Sequence, residues 1–307
     1  MRIGVIDIGS NSIKLLVAET GSTLAALYQT TLETRIGAGI DRDEPVLSQA
    51  SMKAATVAVV KLIAEADRFA PENFAIVATS AVRDAVNRQD FIQRIEDATG
   101  HRLRVLSGEE EAAYIGRAIT TDPALKEYPA FTLCDLGGGS LEFIRLDGGS
   151  ITDKTSLQLG AVRLMERFVK DPTEPLPERT AARIADYVRT KITESGFGAI
   201  RSQPFLAATG GAVNVARAVR AGWLGCSYAE VPSVITVNFL RYLSEELSAA
   251  TLEERQRIPQ LPAARADIMP VACVILLTVA DIAGARHFVL SLHNLRYGIA
   301  AAAGAGT

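Results

Sequence analysis

At 307 residues the chain is long enough to bury two domain-sized cores, and 48% apolar with 22% charged residues is the balance of an ordinary globular protein. A formal net charge of -3 and a pI near 5.8 exclude broad, charge-driven nucleic-acid binding, which needs a basic face. Small anions remain possible ligands, because a pocket can be locally positive on an acidic protein. Cys134, Cys226 and Cys273 are scattered without a C-x-x-C pair, which predicts buried free thiols in a reducing, cytoplasmic setting. Met1-Arg2 leads directly into a strand-like run, so no signal peptide is expected. The longest apolar stretch, 268–285, carries Pro270 and Asp281 and falls short of the ~20 clean apolar residues of a membrane span. It is expected as a buried helix, with no membrane partner.

In chain order, residues 2–7 read as a strand that stops at Gly9, and 13–19 and 23–31 as two more with Gly21 turning between them. A helix starts at Ser48 and ends before Pro71. Residues 74–79 form a buried strand, 90–100 a helix capped by Asp90 and closed by Gly100, 101–106 a strand and 108–120 a helix. The polar stretch 120–129, with Pro123 and Pro129, predicts a domain boundary. After it the order restarts, with strands at 131–135, 141–147 and 150–157 and helices at 162–169 and 177–196. A strand at 205–208 leads through Thr209-Gly210-Gly211 into a helix. Segments 236–247, 252–257 and 266–283 read helical, 287–292 as a last strand and 294–303 as a last helix. Strands interleaved with helices predict an α/β class.

The chain repeats itself. "IDIGSNSIKLLVAE" begins at Ile6 and "CDLGGGSLEFIRLD" at Cys134, so that Asp135 follows Asp7 by 128 positions. Each aspartate precedes an apolar residue, a glycine, two small residues and a serine, and then a strand-like run. Two unrelated hairpins would also carry glycines, but agreement over six consecutive positions at the head of two domain-sized segments predicts internal duplication. Glycines in such a turn expose backbone N–H groups and let an anion approach closely. An aspartate beside them would repel a naked phosphate, and makes sense if a divalent cation or an attacking water lies between. Neither loop is a Walker loop or a dinucleotide fingerprint.

"SGEEEAAYIGRAI" carries a second signal. Ser107 and Glu110 fit an S-x-x-E capping box, and acids in a first helical turn suit the helix dipole. Glu111 instead falls on the stripe of Ile115, Ala118 and Ile119, where a carboxylate must be partnered or functional. A partly desolvated glutamate is also a useful general base.

"IDIGSNSIKLLVAE", "ATSAVRDAVN", "SGEEEAAYIG", "CDLGGGSLEF" and "ATGGAVN" occur in this order across residues 6–214. Together they resemble the exopolyphosphatase/guanosine pentaphosphate phosphohydrolase (Ppx/GppA) family of the acetate kinase, sugar kinase, heat-shock-70 and actin superfamily. The resemblance implies two ribonuclease-H-like (actin-like) domains related by duplication, with the active site in the interdomain cleft. It places the first at 1–124, with a C-terminal helix at 294–307 packing back on it, and the second at 125–293. The chain ends too soon for the extra helical domains of some members.

The resemblance further implies release of orthophosphate from the end of inorganic polyphosphate, assisted by Mg²⁺ or Mn²⁺, by a homodimer. Guanosine pentaphosphate as substrate is the alternative, as is phosphotransfer by a kinase of the same superfamily, though no acceptor pocket is recognisable. By the resemblance Glu111 is the catalytic glutamate and Arg83 grips phosphate; from sequence alone Arg83 could equally pair with Asp84 or Asp90. Gly9, Ser10, Asn11, Ser12 and Gly137, Gly138, Gly139, Ser140 are the phosphate-binding loops. Asp135 is the leading metal contact, with Glu142, otherwise a solvent-facing strand residue, and Asp7 as further candidates. Gly210 and Gly211 open a helix where an anion or, as in the kinase relatives, an adenosine could sit.

His101, His287 and His293 lack ligand spacing, so no zinc site is expected. Trp223 reads as packing. Arg201, Arg217 and Arg220 are candidates for a basic track along a long polyphosphate. One stretch departs from the family: in "SLHNLRYGIA", Arg296 and Gly298 remain, but Tyr297 stands where the family has an acid and Leu292-His293 replaces a small or acidic pair.

Overall fold

The computed structural model describes residues 1–21, 23–200 and 203–304. In chain order its elements are β1 (Arg2–Ile8), β2 (Ser12–Thr20), β3 (Leu24–Glu33), α1 (Gln49–Ala66), β4 (Asn73–Ala78), α2 (Ser80–Asp84), α3 (Arg88–Thr99), β5 (Leu103–Val105) and α4 (Gly108–Thr120). There follow β6 (Ala130–Leu136), β7 (Leu141–Asp147), β8 (Ser150–Leu157), α5 (Ala161–Phe168), α6 (Glu178–Glu194), β9 (Leu206–Gly210) and α7 (Gly211–Leu224). The chain closes with β10 (Val234–Thr236), α8 (Val237–Ala249), α9 (Leu252–Gln256), α10 (Met269–Ala283), β11 (His287–Leu290) and α11 (Leu295–Gly304). Two compact units result: Met1–Pro123 with the segment from His293 onward, and Ala124–Leu292.

The first unit holds a five-stranded sheet in the order β3-β2-β1-β4-β5. Central β1 buries Ile3, Val5, Ile6 and Ile8 on both faces, as a strand covered on two sides must, while edge strand β3 alternates between half-buried and exposed residues. The second unit holds a six-stranded sheet, β10-β11-β9-β6-β7-β8. Without β10 the two sheets match strand for strand and sense for sense. In each, the first strand of an antiparallel meander pairs in parallel with one further strand, which pairs in parallel with another: β1, β4 and β5 in one unit, β6, β9 and β11 in the other. The duplication extends to an irregularity: the ladder slips between Val17 and Ala18 in one unit and between Arg145 and Leu146 in the other, again 128 positions apart.

Three details differ from the sequence reading. The strand β10 was not expected, because three residues carry almost no periodicity. Helix α3 starts at Arg88 rather than Asp90, and Asn87 does not cap it, because the Asn87 amide exchanges two 2.9 Å hydrogen bonds with the Leu47 backbone. Of the thiols, Cys134 and Cys273 are buried but Cys226 is half-exposed. Helix α10 is the buried helix expected from the long apolar run, opened by Pro270. No helix among the described residues is long and apolar enough to cross a membrane.

Candidate active site

Each loop is shaped by one internal hydrogen bond. Gly9 N–H donates to Ser12 O at 3.1 Å, and Gly137 N–H to Ser140 O at 3.0 Å. These two amides are therefore spent on the turn. In the first loop the carbonyls are drawn backwards: Ser10 O accepts from Gly37, and Asn11 O from Thr34 and Arg35. In the second, Gly137 O accepts from Ala161, and Gly138 O from Val162 and Arg163 at the start of α5. A peptide whose carbonyl faces back presents the following N–H forward. The amides of Ser10 and Asn11, and those of Gly138, Gly139 and Ser140, have no partner among the described residues. Such a run of N–H groups can hold an anion.

At the first loop, Asp7 Oδ1 and Ser10 Oγ are buried without a hydrogen bond among the described residues, as is Thr34 Oγ1 in the segment that backs the loop. Buried polar atoms are nearly always satisfied, so an orphaned carboxylate oxygen marks a place for water, a cation or substrate. Burial pushes the Asp7 carboxyl above its usual range, partly offset by Lys14, opposite it across β1 and β2, and by Arg296. Arg296 lies on α11 at 6% exposure and donates to Leu15 O. The Asn11 side chain is scaffold: its amide donates to Glu33 at 2.6 Å and its carbonyl accepts from Arg35.

Because a raised carboxyl holds its proton more tightly folded than unfolded, Asp7 costs stability as pH climbs above its ordinary value of 3.8. Asp7→Asn removes that cost. Its melting temperature exceeds that of the wild type at pH 7, and the gain disappears as pH falls to about 4. Paired thermal melts across that range check this.

In the same unit the capping box is present, Ser107 and Glu110 bonding reciprocally, which leaves Glu111 to turn inward. Glu111 is 7% exposed among Ile115, Ala118 and Ile119. Arg83, on the short α2 after β4, meets it: Nη1 donates to Glu111 Oε2 at 2.9 Å and to Leu106 O at 3.1 Å. Arg83 Nε lies 3.8 Å from Asp84, and Nη2 has no partner among the described residues. One arm of the fork thus orients the glutamate while the other stays available to an anion.

In the second unit Asp135 and Glu142 face each other across β6 and β7. Glu142 is buried rather than solvent-facing, and accepts from Ser156 Oγ at 2.7 Å. Two carboxyls on one face at directly opposed positions repel unless a cation or a shared proton lies with them. Gly210, at φ 96°, lies against Asp135: a Cβ there would stand 2.3 Å from Oδ1. At Gly211 a Cβ would stand 1.9 Å from Arg265 Nη1. The head of α7 is thus bare because a carboxylate and a guanidinium both approach it. Sequence reasoning missed Arg265; the available signal was a lone arginine between Pro262 and Pro270, ahead of a largely buried helix.

No group of three histidine, cysteine or acidic side chains gathers as a metal cage among the described residues. Magnesium does not need one, since it usually keeps several waters and is bound through one or two carboxylates plus substrate phosphates. The orphaned Asp7 oxygen and the Asp135–Glu142 pair fit that donor set.

The histidines pack on aromatics: His101 lies tilted against Phe74, while His287 stacks on Phe205 and His293 on Tyr297, the last at 4.2 Å. The C-terminal departure is therefore built as a stacked pair, with Thr121 hydrogen-bonded to His293 and Gln29 to Tyr297. Trp223 packs edge-on against Phe239 and Tyr242. Arg217 and Arg220 do not form a basic track. Arg217 donates to Val231 O and lies 4.1 Å from the Tyr228 ring centre, and Arg220 donates to Val234 O over Phe239. Arg201 lies outside the described residues.

Paired β-meanders, each followed by parallel strands and an amide-lined loop beside an aspartate, define a protein of two actin-like, ribonuclease-H-like domains. The chain belongs to the Ppx/GppA phosphatase family, which it matches over residues 15–302. It is similar in fold to an exopolyphosphatase from Cytophaga hutchinsonii ATCC 33406, with a TM-score of 0.89 and 24% identity over 100% of this chain and 99% of that one. The PPX-GPPA enzyme of Aquifex aeolicus matches with a TM-score of 0.79 and 24% identity over 98% and 99% of the two chains. An exopolyphosphatase-like protein matches with a TM-score of 0.89 and 22% identity over 99% and 98%.

Proposed function

We propose that this chain is a phosphohydrolase that releases orthophosphate from the end of inorganic polyphosphate. The observation that carries the reading is the first loop, where forward-facing amides adjoin an orphaned, buried Asp7 oxygen and Ser10 hydroxyl. Membership of a phosphatase family supports it.

In this reading, the amides of Ser10 and Asn11 and the Ser12 hydroxyl hold terminal phosphate oxygens. In the second unit Gly138, Gly139 and Ser140 offer an equivalent set of phosphate donors, while the bare Gly210 and Gly211 admit Asp135 and Arg265 to the head of α7. Asp135 and Glu142 in the second unit, and Asp7 in the first, are the carboxylates that would hold magnesium or manganese, which would offset charge on the phosphoryl group. Arg83 keeps its Glu111 contact and gives its second arm to phosphate. Glu111 takes a proton from the attacking water; the water's oxygen forms the new P–O bond as the anhydride oxygen leaves with the shortened chain.

The test follows phosphate release from long polyphosphate, short polyphosphate and guanosine pentaphosphate, each with magnesium or EDTA, and with and without ADP. Long polyphosphate should be cleaved fastest, with activity abolished by EDTA. Faster release from guanosine pentaphosphate moves the substrate to the nucleotide, and transfer to ADP without free phosphate moves the reaction to a kinase. No release from any of them overturns the hydrolase reading. The proposed homodimer is read from the mass of the same preparation by light scattering.

A further inference from the structure

The duplication reaches beyond the loops to an arginine behind each. Arg163 is Arg35 displaced by 128 positions. Arg35 Nε donates at 3.3 Å to the Asn11 side chain, and Arg163 Nε donates at 2.9 Å to Gly139 O. Asn11 and Gly139 are themselves 128 positions apart. The backbones are tied one position apart: Thr34 and Arg35 share the carbonyl of Asn11, while Val162 and Arg163 share that of Gly138, the counterpart of Ser10.

The local folds that deliver these arginines differ. Arg163 sits in the first turn of α5 and is 5% exposed. Arg35 follows β3 with φ 46°, a left-handed conformation that glycine or asparagine would adopt at less cost. Two unlike elements thus bring the same side chain to the same loop position. A buried arginine is expensive to keep where an apolar residue would pack, unless its fixed fork is needed.

We propose that Arg35 and Arg163 are positioning residues, each clamping its glycine loop from behind so that the loop amides face a phosphate. The inference rests on the phosphohydrolase reading for the identity of the anion. The clamp acts through the loop: Arg163 holds the Gly139 carbonyl back, which aims the Ser140 N–H forward, and Arg35 fixes the Asn11 side chain and with it the turn.

The experiment uses the full chain as wild type, Arg163→Met, Arg163→Lys and Arg35→Met. Three quantities are read: inorganic phosphate affinity by calorimetry, KM and kcat on polyphosphate, and amide exchange at Gly9 and Gly137, whose N–H groups close the two loops. Both methionine variants should bind phosphate about tenfold more weakly, with KM raised in step and kcat within about threefold. Arg163→Lys, which keeps a donor but loses the fork, should fall between. Exchange should quicken at the second loop in Arg163→Met and stay unchanged at the first. Unchanged phosphate affinity in the folded methionine variants overturns the proposal, as does a fall in kcat with KM unaltered. If Arg163→Met does not fold, Arg163→Lys decides, and wild-type affinity there overturns it. A wild type that neither binds phosphate nor releases it defeats the hydrolase reading instead, and the exchange rates still test the clamp.

Discussion

Glu111→Gln lowers polyphosphate turnover by about 10²-fold or more, the contribution typical of a general base, and leaves phosphate affinity nearly intact. Glutamine keeps the shape of glutamate and an oxygen that can still accept from Arg83 Nη1, so the 2.9 Å contact and the helix start survive. What disappears is the lone pair basic enough to take a proton from water. The pH profile separates this from a purely structural effect. Loss of a general base removes the acidic limb of the rate profile, whereas a displaced helix would depress the rate at every pH. Thermal stability should drop by only about 1 kcal/mol, because a charge-assisted hydrogen bond becomes a neutral one. Turnover within threefold of wild type would remove Glu111 from the chemistry.

Gly298→Ala should be the most destabilising single-methyl change in the first unit. A Cβ at Gly298 would stand 1.8 Å from Tyr114 O and 2.6 Å from Tyr114 C. Both are backbone atoms of α4, so no side-chain rotation relieves the clash, and α11 must move away from α4. Alanine's better helix propensity returns about 1 kcal/mol, but overpacking against a rigid neighbour costs about 3 kcal/mol or somewhat more. The net loss is read from urea unfolding. Glu111 lies one helical turn before Tyr114, so activity should fall even at temperatures where the variant is fully folded. Gly21→Ala serves as control: nothing lies within 4 Å of its Cβ, and the change should stay within about 0.5 kcal/mol. A Gly298→Ala variant as stable as this control would mean that the helices do not touch as described.

Much of the fold was legible because it is written in local chemistry. A glycine turn, an aspartate before it and a strand on either side occur within a dozen residues, and their recurrence announced two similar domains before any coordinate was known. Helical periodicity likewise placed Glu111 among Ile115, Ala118 and Ile119, and the capping box explained why Glu110 and not Glu111 faces water. The basic track was not there to be read, because an arginine's charge says nothing of the carbonyl and ring it finds in the fold. Arg217 and Arg220 are occupied by Val231, Tyr228, Val234 and Phe239.

By itself, the sequence determined the α/β class, the doubled loop and the inward face of α4, each a matter of residues close together in the chain. Only the tertiary structure decided which cations serve the loops. Arg296 reaches Leu15 O from 281 positions away, Arg163 reaches Gly139 through the start of another element, and Arg265 reaches Gly211 from beyond three helices. A guanidinium on a long, flexible stem can meet many partners, and which one it meets depends on packing that brings distant segments within 3 Å of each other, a distance no local pattern encodes.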